Sequence, residues 1–422
     1  MDCLSGFPAR FFSEYPSIGG EITMNLIPQA TRIGIALAVL FAAGQATAEV
    51  AVSQVAITKV EAFSNNHPTT LHNINAIGQV VGTYYYGNNT VQRHGFVISD
   101  NVQTDIGTLG GATSHAYDIN NSGAITGQST TTSATTPTSG FIYSNGTFQT
   151  IPTLGGTQAL GRAINDAGQV AGSSTNSSGR YNAFIYSDGE ITNLGTLGGD
   201  NTIHTTYAYD INNRGQVVGQ SIAADGKSYA YVWENGQITS LGALPGGAER
   251  TPAGVSEARA INDAGQIAGR SLHADNSSYH AFFYENSVIT DIGTLGGNGS
   301  SSYGINNHGW VVGVSDIDVT TNATHAFLYS TETGILDLND FLPENSGWEL
   351  LLAQAISDNG DIVGYGRYTD PLTGIVGPNN SAFILSGLGF TAVAAIPEPS
   401  TYAMLLAGMG LMGFAARRRK TA

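Results

Sequence analysis

Three histidines are the first candidates for chemistry, because they recur at one position of a repeated pattern. His94, His280 and His325 each precede a small residue and a phenylalanine, as in His280-Ala281-Phe282. Imidazole is a common ligand of zinc. The other copies of the pattern carry Ser139, Asn182, Tyr229 or Ser381 there. No constant ligand set results, and the position reads as a hydrogen bond at the start of a strand. No metal is expected. The stretches Asn165-Asp166-Ala167-Gly168 and Ser357 to Asp361 place Asp beside Gly. A calcium loop needs acidic residues at alternating positions and a closing Glu. Both stretches lack these and read as hairpin turns. No cofactor is expected, beyond calcium held loosely on an acidic surface.

Catalytic motifs are missing. There is no G-x-S-x-G elbow, no H-E-x-x-H helix and no glycine-rich phosphate loop. Asp and Glu total 32, so a glycosidase-type carboxylate pair has many candidates, and nothing singles out two of them. The reading is therefore a non-enzyme, with a polysaccharide hydrolase or lyase as its rival. Inward-facing Asp, Glu, His or Tyr at the mouth of a central channel would favour the rival. Aromatic residues on loops would favour binding. Tyr84, Tyr85, Tyr86, Tyr181, Tyr229, Tyr279, Trp348 and Tyr368 lie in or beside variable loops rich in Asn, Ser and Thr. An aromatic face with polar neighbours suits a sugar ring, so these eight are the candidate ligand-binding residues. The plainer alternative is that several pack beneath the loops.

The elements that would hold such residues are short strands. Charged residues make up only 11% of the chain, and there are 55 glycines. Each Gly inside a helix costs ~1 kcal/mol against Ala, so long helices are disfavoured and turns favoured. The net charge of −16 excludes a nucleic-acid partner, which would need a basic surface. Residues 24–48 combine Arg32, an apolar stretch from Ile33 to Ala43, and Ala46-Thr47-Ala48. These are the parts of a secretory signal peptide. Residues 1–23 do not fit ahead of it, so Met24 is the expected start. Cleavage after Ala48 also removes Cys3, the only cysteine, and leaves an exported protein without a disulfide.

A repeat runs through the rest. "INAIGQVVG" at 74–82 returns as "INNSGAITG" at 119–127 and "INDAGQVAG" at 164–172, and then four more times, ending with "ISDNGDIVG" at 356–364. Each copy predicts four strands, with "NDAG" and "SDG" as the tight turns. In the strand around 183–186 both faces are apolar, Ala183/Ile185 and Phe184/Tyr186, which requires burial on both sides. Such a unit must stack against its neighbours. Seven units of four strands predict an all-β chain, a seven-bladed β-propeller over 49–390, with an open stack as the runner-up. The last copy lacks a fourth strand, and residues 51–63 are expected to supply it. The short turns share one face of the ring and the variable loops the other, which makes the loop face the expected binding face.

The pattern "LGTLGG…DINN.GQVVG…HAF" is similar to the HAF repeat of predicted extracellular bacterial proteins. That resemblance covers roughly residues 51–390 and implies an exported repeat protein, with no reaction attached. After a linker at 391–396 comes Pro397-Glu398-Pro399, then a helix at 400–416 of marginal membrane-spanning length. The basic run Arg417, Arg418, Arg419 and Lys420 closes the chain and would stay cytoplasmic by the positive-inside rule. This order of extended motif, apolar helix and basic end resembles the PEP-CTERM sorting signal. Ile396 stands where that family more often has Val. The resemblance implies transient anchoring in the inner membrane of a Gram-negative, polysaccharide-secreting cell, then processing by an exosortase-type enzyme. The partners expected are that enzyme, the inner membrane in passing, and extracellular polysaccharide. The expected place is the cell surface or matrix, and the expected role binding or structural.

Overall fold

A computed structural model describes residues 51–61, 69–85, 92–198, 205–246, 255–274, 278–321, 323–377 and 380–389. The signal helix at 24–48, the start at Met24, the linker, the sorting motif Pro397-Glu398-Pro399, the helix at 400–416 and the basic end lie outside the described residues. Among the described residues the chain is all-β, with 28 strands and one 3-10 turn, Leu338–Phe341. No helix there is long and apolar enough to cross a membrane.

The strands group by fours into seven antiparallel units. Unit three shows the plan. Gly155–Ile164 pairs with Val170–Asn176, which pairs with Tyr181–Ser187, which pairs with Glu190–Asn193. The first turn closes with the Gly168 N–H donating to the Asn165 carbonyl at 2.9 Å, and Gly168 takes φ +78. The second turn has Asp188 at φ 52 and Gly189 at φ 87. Positive φ at both central residues is the hairpin turn that matches strand twist. The other first strands are Thr69–Ile74, Gly110–Ile119, Thr206–Ile211, Ser256–Ile261, Ser300–Ile305 and Trp348–Ile356. Single parallel pairs, Arg93 with Thr113 and Thr138 with Gln158, tie units one to two and two to three.

Two-sided burial is realised as expected. Ala183 and Ile185 join a core with Ala208, Ile211, Val217 and Tyr231 of unit four. Phe184 and Tyr186 join another with Ala124 and Ile151 of unit two. Each pair of neighbouring units shares such a core, and Leu71, Val80 and Phe96 of unit one share theirs with Ala355, Val363 and Ala382 of unit seven. The first strands of successive units pack against one another, and the first against the seventh. They therefore surround a channel. The outer strand Glu190–Asn193 is mostly exposed, as an edge should be.

Unit seven is completed from the other end of the chain. Ala51–Val60 pairs antiparallel with Ser381–Gly389 and becomes the fourth strand of that sheet. The strand occupies 51–60 of the 51–63 expected, and 62–63 lie outside the described residues.

Candidate functional site

The channel owes its lining to an irregularity repeated seven times. In unit three, Gly161 faces Gly172 and Ala163 faces Ala171, so Arg162 between them has no partner. It is the extra residue of a β-bulge, a device that re-aims a side chain. The same slip isolates His72 and Tyr117 in units one and two. It isolates Tyr209, Arg259, Tyr303 and Gln354 in units four to seven. All seven bulged residues line one cavity of about 390 Å³.

The residues opposite explain why the bulge forms. Gly172 sits so close to the bulged strand that a Cβ there would lie 2.0 Å from the Leu160 carbonyl oxygen and 2.8 Å from the Phe184 ring. Gly82, Gly127, Gly219, Gly269, Gly313 and Gly364 stand alike, each between 1.9 and 2.2 Å from the matching carbonyl. The last glycine of "GQVVG" and the phenylalanine of the "HAF" position are thus the mould of the channel wall.

Polar groups concentrate at this wall. His72 Nε2 lies 3.1 Å from Thr83 Oγ1, which lies 3.2 Å from His115 Nδ1. His115 stacks on Tyr117 with centroids 5.5 Å apart. Burial pushes the His72 imidazole down to about 4, helped by Arg162. Burial, then the charges of Arg93, His72 and Arg162, takes His115 down to about 3. Both rings are neutral at physiological pH. The Arg162 guanidinium lies over Tyr117, Arg259 over Tyr303 and Arg270 over Tyr279, each at 4.7 Å. Glu257 accepts from Arg270 at 2.8 Å and Arg259 at 2.9 Å. Burial raises its carboxyl, but Arg270 and Arg259 together hold it below the ordinary range.

Two aspartates sit deeper. Burial pushes Asp118 up to about 6. Burial and then the Asp118 charge push Asp210 up to about 8. Asp118 accepts from the backbone N–H of Ile119 and of Ile164 in the next unit, and Asp210 accepts likewise from Ile211 and Ile261.

At the turn end of the channel the repeat works as a latch. Asn165 Nδ2 donates to the Asn212 carbonyl of the next unit at 3.1 Å, while Asn165 Oδ1 accepts from its own Gln169 N–H at 2.9 Å. Asn75, Asn120, Asn212, Asn262 and Asn306 reach forward in the same way. The following residue makes a second ring, in which the Asp166 carboxylate takes amide hydrogens from Asn121 and Asn213. Asp263 lies between Asn213 and Asn307, and Asp358 accepts from Asn307. Ala76 holds the remaining place. The hairpin reading of "NDAG" stands, and the link to the next unit is an addition that local reading missed.

The eight loop aromatics do not form one surface. Tyr84 requires correction as an exposed residue: it is buried, its hydroxyl donates to Asp105 at 2.9 Å, and its ring packs edge-on to Phe96. It lies next to the end of the strand Val80–Tyr85, and its side chain joins the core shared with unit seven. Trp348 also packs inward, against Phe383 at 5.9 Å and Tyr368 at 5.1 Å. Lys59 lies 5.4 Å from the Tyr368 ring, and the Tyr229 hydroxyl donates to Asp225 at 2.9 Å. Tyr86 lies outside the described residues. Three of the eight do meet the channel network. Tyr181 donates to Gln158 at 2.5 Å and lies 5.8 Å from Tyr207. Tyr279 lies under Arg270, and Tyr85 bears electrostatically on Tyr117.

The repeated histidines each bond a carboxylate of the outer strand of their own unit. His94 reaches Asp105 at 2.8 Å, His280 reaches Asp291 at 2.9 Å and His325 reaches Asp337 at 2.5 Å. His273 is an addition to the reading: with His280 and Asp291 it offers three metal-ligand atoms within 4.8 Å. Its ring is stacked on His280 at 4.1 Å, and the carboxylate there is already engaged by His280.

Stacked four-stranded sheets around a lined channel define a β-propeller-like protein, with the channel wall as its site. The PEP-CTERM protein-sorting motif matches residues 395–420, which marks the chain as an exported exosortase substrate. No curated protein matches its sequence. Among solved structures it is similar to virginiamycin B lyase from Staphylococcus aureus crystallised with quinupristin. That match has TM-score 0.45 and 11% identity, over 79% of this chain and 99% of that one. The β-propeller domain of the Trilobed protease from Pyrococcus furiosus matches with TM-score 0.37 and 12% identity, over 65% and 96% of the two chains. Aleuria aurantia lectin, in complex with a fucosylated sugar, matches with TM-score 0.35 and 12% identity, over 65% and 95%. These likenesses concern the fold and bring no function to this chain.

Proposed function

We propose that the chain is a seven-bladed β-propeller of the HAF-repeat type, exported, held briefly at the inner membrane and released by exosortase-type processing. Its channel binds a segment of the extracellular polysaccharide of the Gram-negative cell that makes it. The observation that carries this reading is the ring of bulged residues. One side chain per unit projects into a shared cavity, and the set alternates tyrosine with arginine over its central part, Tyr117, Arg162, Tyr209, Arg259 and Tyr303. Tyrosine faces suit sugar rings and guanidinium forks suit sugar oxygens. The binding site thus moves from the loop aromatics to the channel, with Tyr181, Tyr279 and Tyr85 contributing at its edge.

A second reading, a polysaccharide lyase, is favoured by one observation. His72, Tyr117 and Tyr209 face inward together, the arrangement that sequence reasoning assigned to an enzyme. Hydrolysis with a carboxylate pair finds less support. Glu257 is bound by two arginines, and the oxygens of Asp118 and Asp210 already accept backbone N–H groups.

The test is calorimetric titration of the released protein with the producer's own polymer, followed by chain-length analysis of that polymer. Binding is expected, weakened about fivefold by Tyr209→Ala or Tyr303→Ala, since stacking on one ring is worth ~1 kcal/mol. Shortening of the polymer would replace binding with catalysis. Absence of binding to any polysaccharide would overturn the proposal.

A further inference from the structure

We infer that one side of the channel, at units one to three, is a subsite for the acidic group of a sugar, a carboxylate or a sulfate. The inference rests on the polysaccharide reading and narrows it to an acidic polymer.

The argument begins with unpaired donors. Arg93 Nε and His115 Nε2 are buried and have no hydrogen-bond partner among the described residues. A buried polar group left unpaired is costly, and the cost falls away when a ligand supplies the missing partner. Arg93 sits opposite Thr113, two residues before His115, so both belong to the seam between units one and two. Arg162 joins them from unit three, and its charge and that of Arg93 both act on His115. Arg162 lies over Tyr117 and has no ion pair among the described residues.

The opposite side of the channel shows what a satisfied version looks like. Glu257 of unit five faces Arg270 across its strand pair, just as His115 faces Gln128 in unit two. There one carboxylate bridges Arg259 and Arg270 and offsets one of their two charges. On the near side the same position is occupied by neutral His115 and by Leu160. Among the described residues two arginines, Arg93 and Arg162, are left without a counter-charge, in a protein whose net charge is −16. A carboxylate or sulfate brought in by the ligand takes the place that Glu257 fills opposite.

The histidine chain is built for the same task. Thr83 has one hydroxyl hydrogen to give, and it stands between two imidazole nitrogens. When His72 Nε2–H donates to Thr83, the Thr83 hydroxyl donates to His115 Nδ1. His115 must then carry its proton on Nε2, the atom that lacks a partner. That tautomer presents an N–H to an anion, and each bond in the chain strengthens the next. The acid of the bound sugar would lie toward Arg162, with Arg93 and His115 behind it.

The experiment titrates the released, full-length mature protein with three oligosaccharides: one containing glucuronic acid, its carboxyl-reduced neutral counterpart, and a sulfated neutral one. The acidic sugar is expected to bind at least about tenfold more tightly than the neutral one, as one charged hydrogen bond warrants, with the preference weakening as salt rises. Arg162→Gln places at this bulge the residue that unit seven already carries as Gln354, so the fold tolerates it. It should abolish the preference, bringing the affinity for the acidic sugar down to that for its neutral counterpart measured on the same variant. Arg259→Gln should leave the preference intact, because that guanidinium is already paired with Glu257. Thr83→Val, which removes the relay hydroxyl, should reduce the preference in part. Tight binding of the sulfated sugar alone supports the subsite and assigns it to sulfate. Equal binding of acidic and neutral sugars would overturn the subsite while the polysaccharide reading stands, and binding of none would overturn both.

Discussion

The link between repeat and channel is tested most directly by Gly172→Ala. Gly172 has an ordinary extended backbone, so alanine meets no conformational penalty there. The obstacle is the Leu160 carbonyl oxygen, 2.0 Å from the added Cβ, with the Phe184 ring at 2.8 Å. An ordinary carbon–oxygen contact is about 3.3 Å, so the strands must part by more than an ångström. Neither neighbour can yield cheaply. Leu160 is held in register opposite Ser173, and Phe184 is wholly buried between two units. Overpacking costs ~1–3 kcal/mol, and two rigid neighbours put this case at the upper end, about 3 kcal/mol. With about 2.1 cal/mol/K of unfolding entropy per residue over roughly 340 residues, that is a fall of about 4 °C in Tm. The comparison variant is Gly168→Ala, which has open space around it and a φ of +78. It has only the left-handed backbone to fear, about 1 kcal/mol. Calorimetric melts of the two proteins side by side should place Gly172→Ala clearly below Gly168→Ala. Equal melting temperatures, or the reverse order, would refute the account of the bulge.

Three further outcomes are expected. Asp118 and Asp210 have folded-state values above their ordinary 3.8, at about 6 and about 8. Their stabilisation is therefore full below pH ~4 and fades as pH rises through those values. The Tm should fall between pH 5 and 8.5, and Asp210→Asn, matching Asn73 of unit one, should flatten that fall; an unchanged slope counts against it. Deleting residues 51–60 strips unit seven of its fourth strand and bares the edge of Ser381–Gly389. An open edge recruits other chains, so light scattering should detect aggregates, and a stable monomer with the parent Tm would argue against that closure. Mass spectrometry of protein released into the medium should find a C-terminus near Pro397-Glu398-Pro399, and a product still ending at Ala422 would defeat the sorting account.

Much of the fold could be read from the chain, because its signals are local or strictly repeated. The two apolar faces Ala183/Ile185 and Phe184/Tyr186 foretold two separate cores, and the missing last strand foretold the use of residues 51–63, of which 51–60 form the strand. The channel wall was hidden for a physical reason. Alternation of faces assumes an unbroken period of two, and a bulge inserts one residue that breaks it. Arg162, Tyr209 and Gln354 differ in type from copy to copy, so they looked like background between "A" and "IN". The visible clue was their partner: the last glycine of each copy, which had no turn to make. The latch escaped for a related reason. Asn165 was read as part of its own turn, yet its amide bonds a residue 47 positions away, the spacing of the repeat itself. Variable loops drew attention to Tyr84 and Trp348, but a strand-end aromatic beside a shared core buries itself whatever loop follows it.

The ring of side chains at the turn end has an arithmetical consequence. Asn121, Asp166, Asn213, Asp263, Asn307 and Asp358 alternate amide and acid, so that each carboxylate is met by amide hydrogens. Two kinds cannot alternate around an odd number of places without a fault. The fault falls at Ala76, whose methyl is neither kind, and Asn359 bridges it by donating to the Ala76 carbonyl. It coincides with the junction where the two ends of the chain are sewn into one sheet. Parity therefore marks a seam that near-identical units would otherwise conceal. Insertion of one more copy, or loss of one, would set two acids or two amides side by side unless the change fell at that seam. The circle of Asn and Asp thus checks the number of repeats in the chain, and it permits revision at one place only.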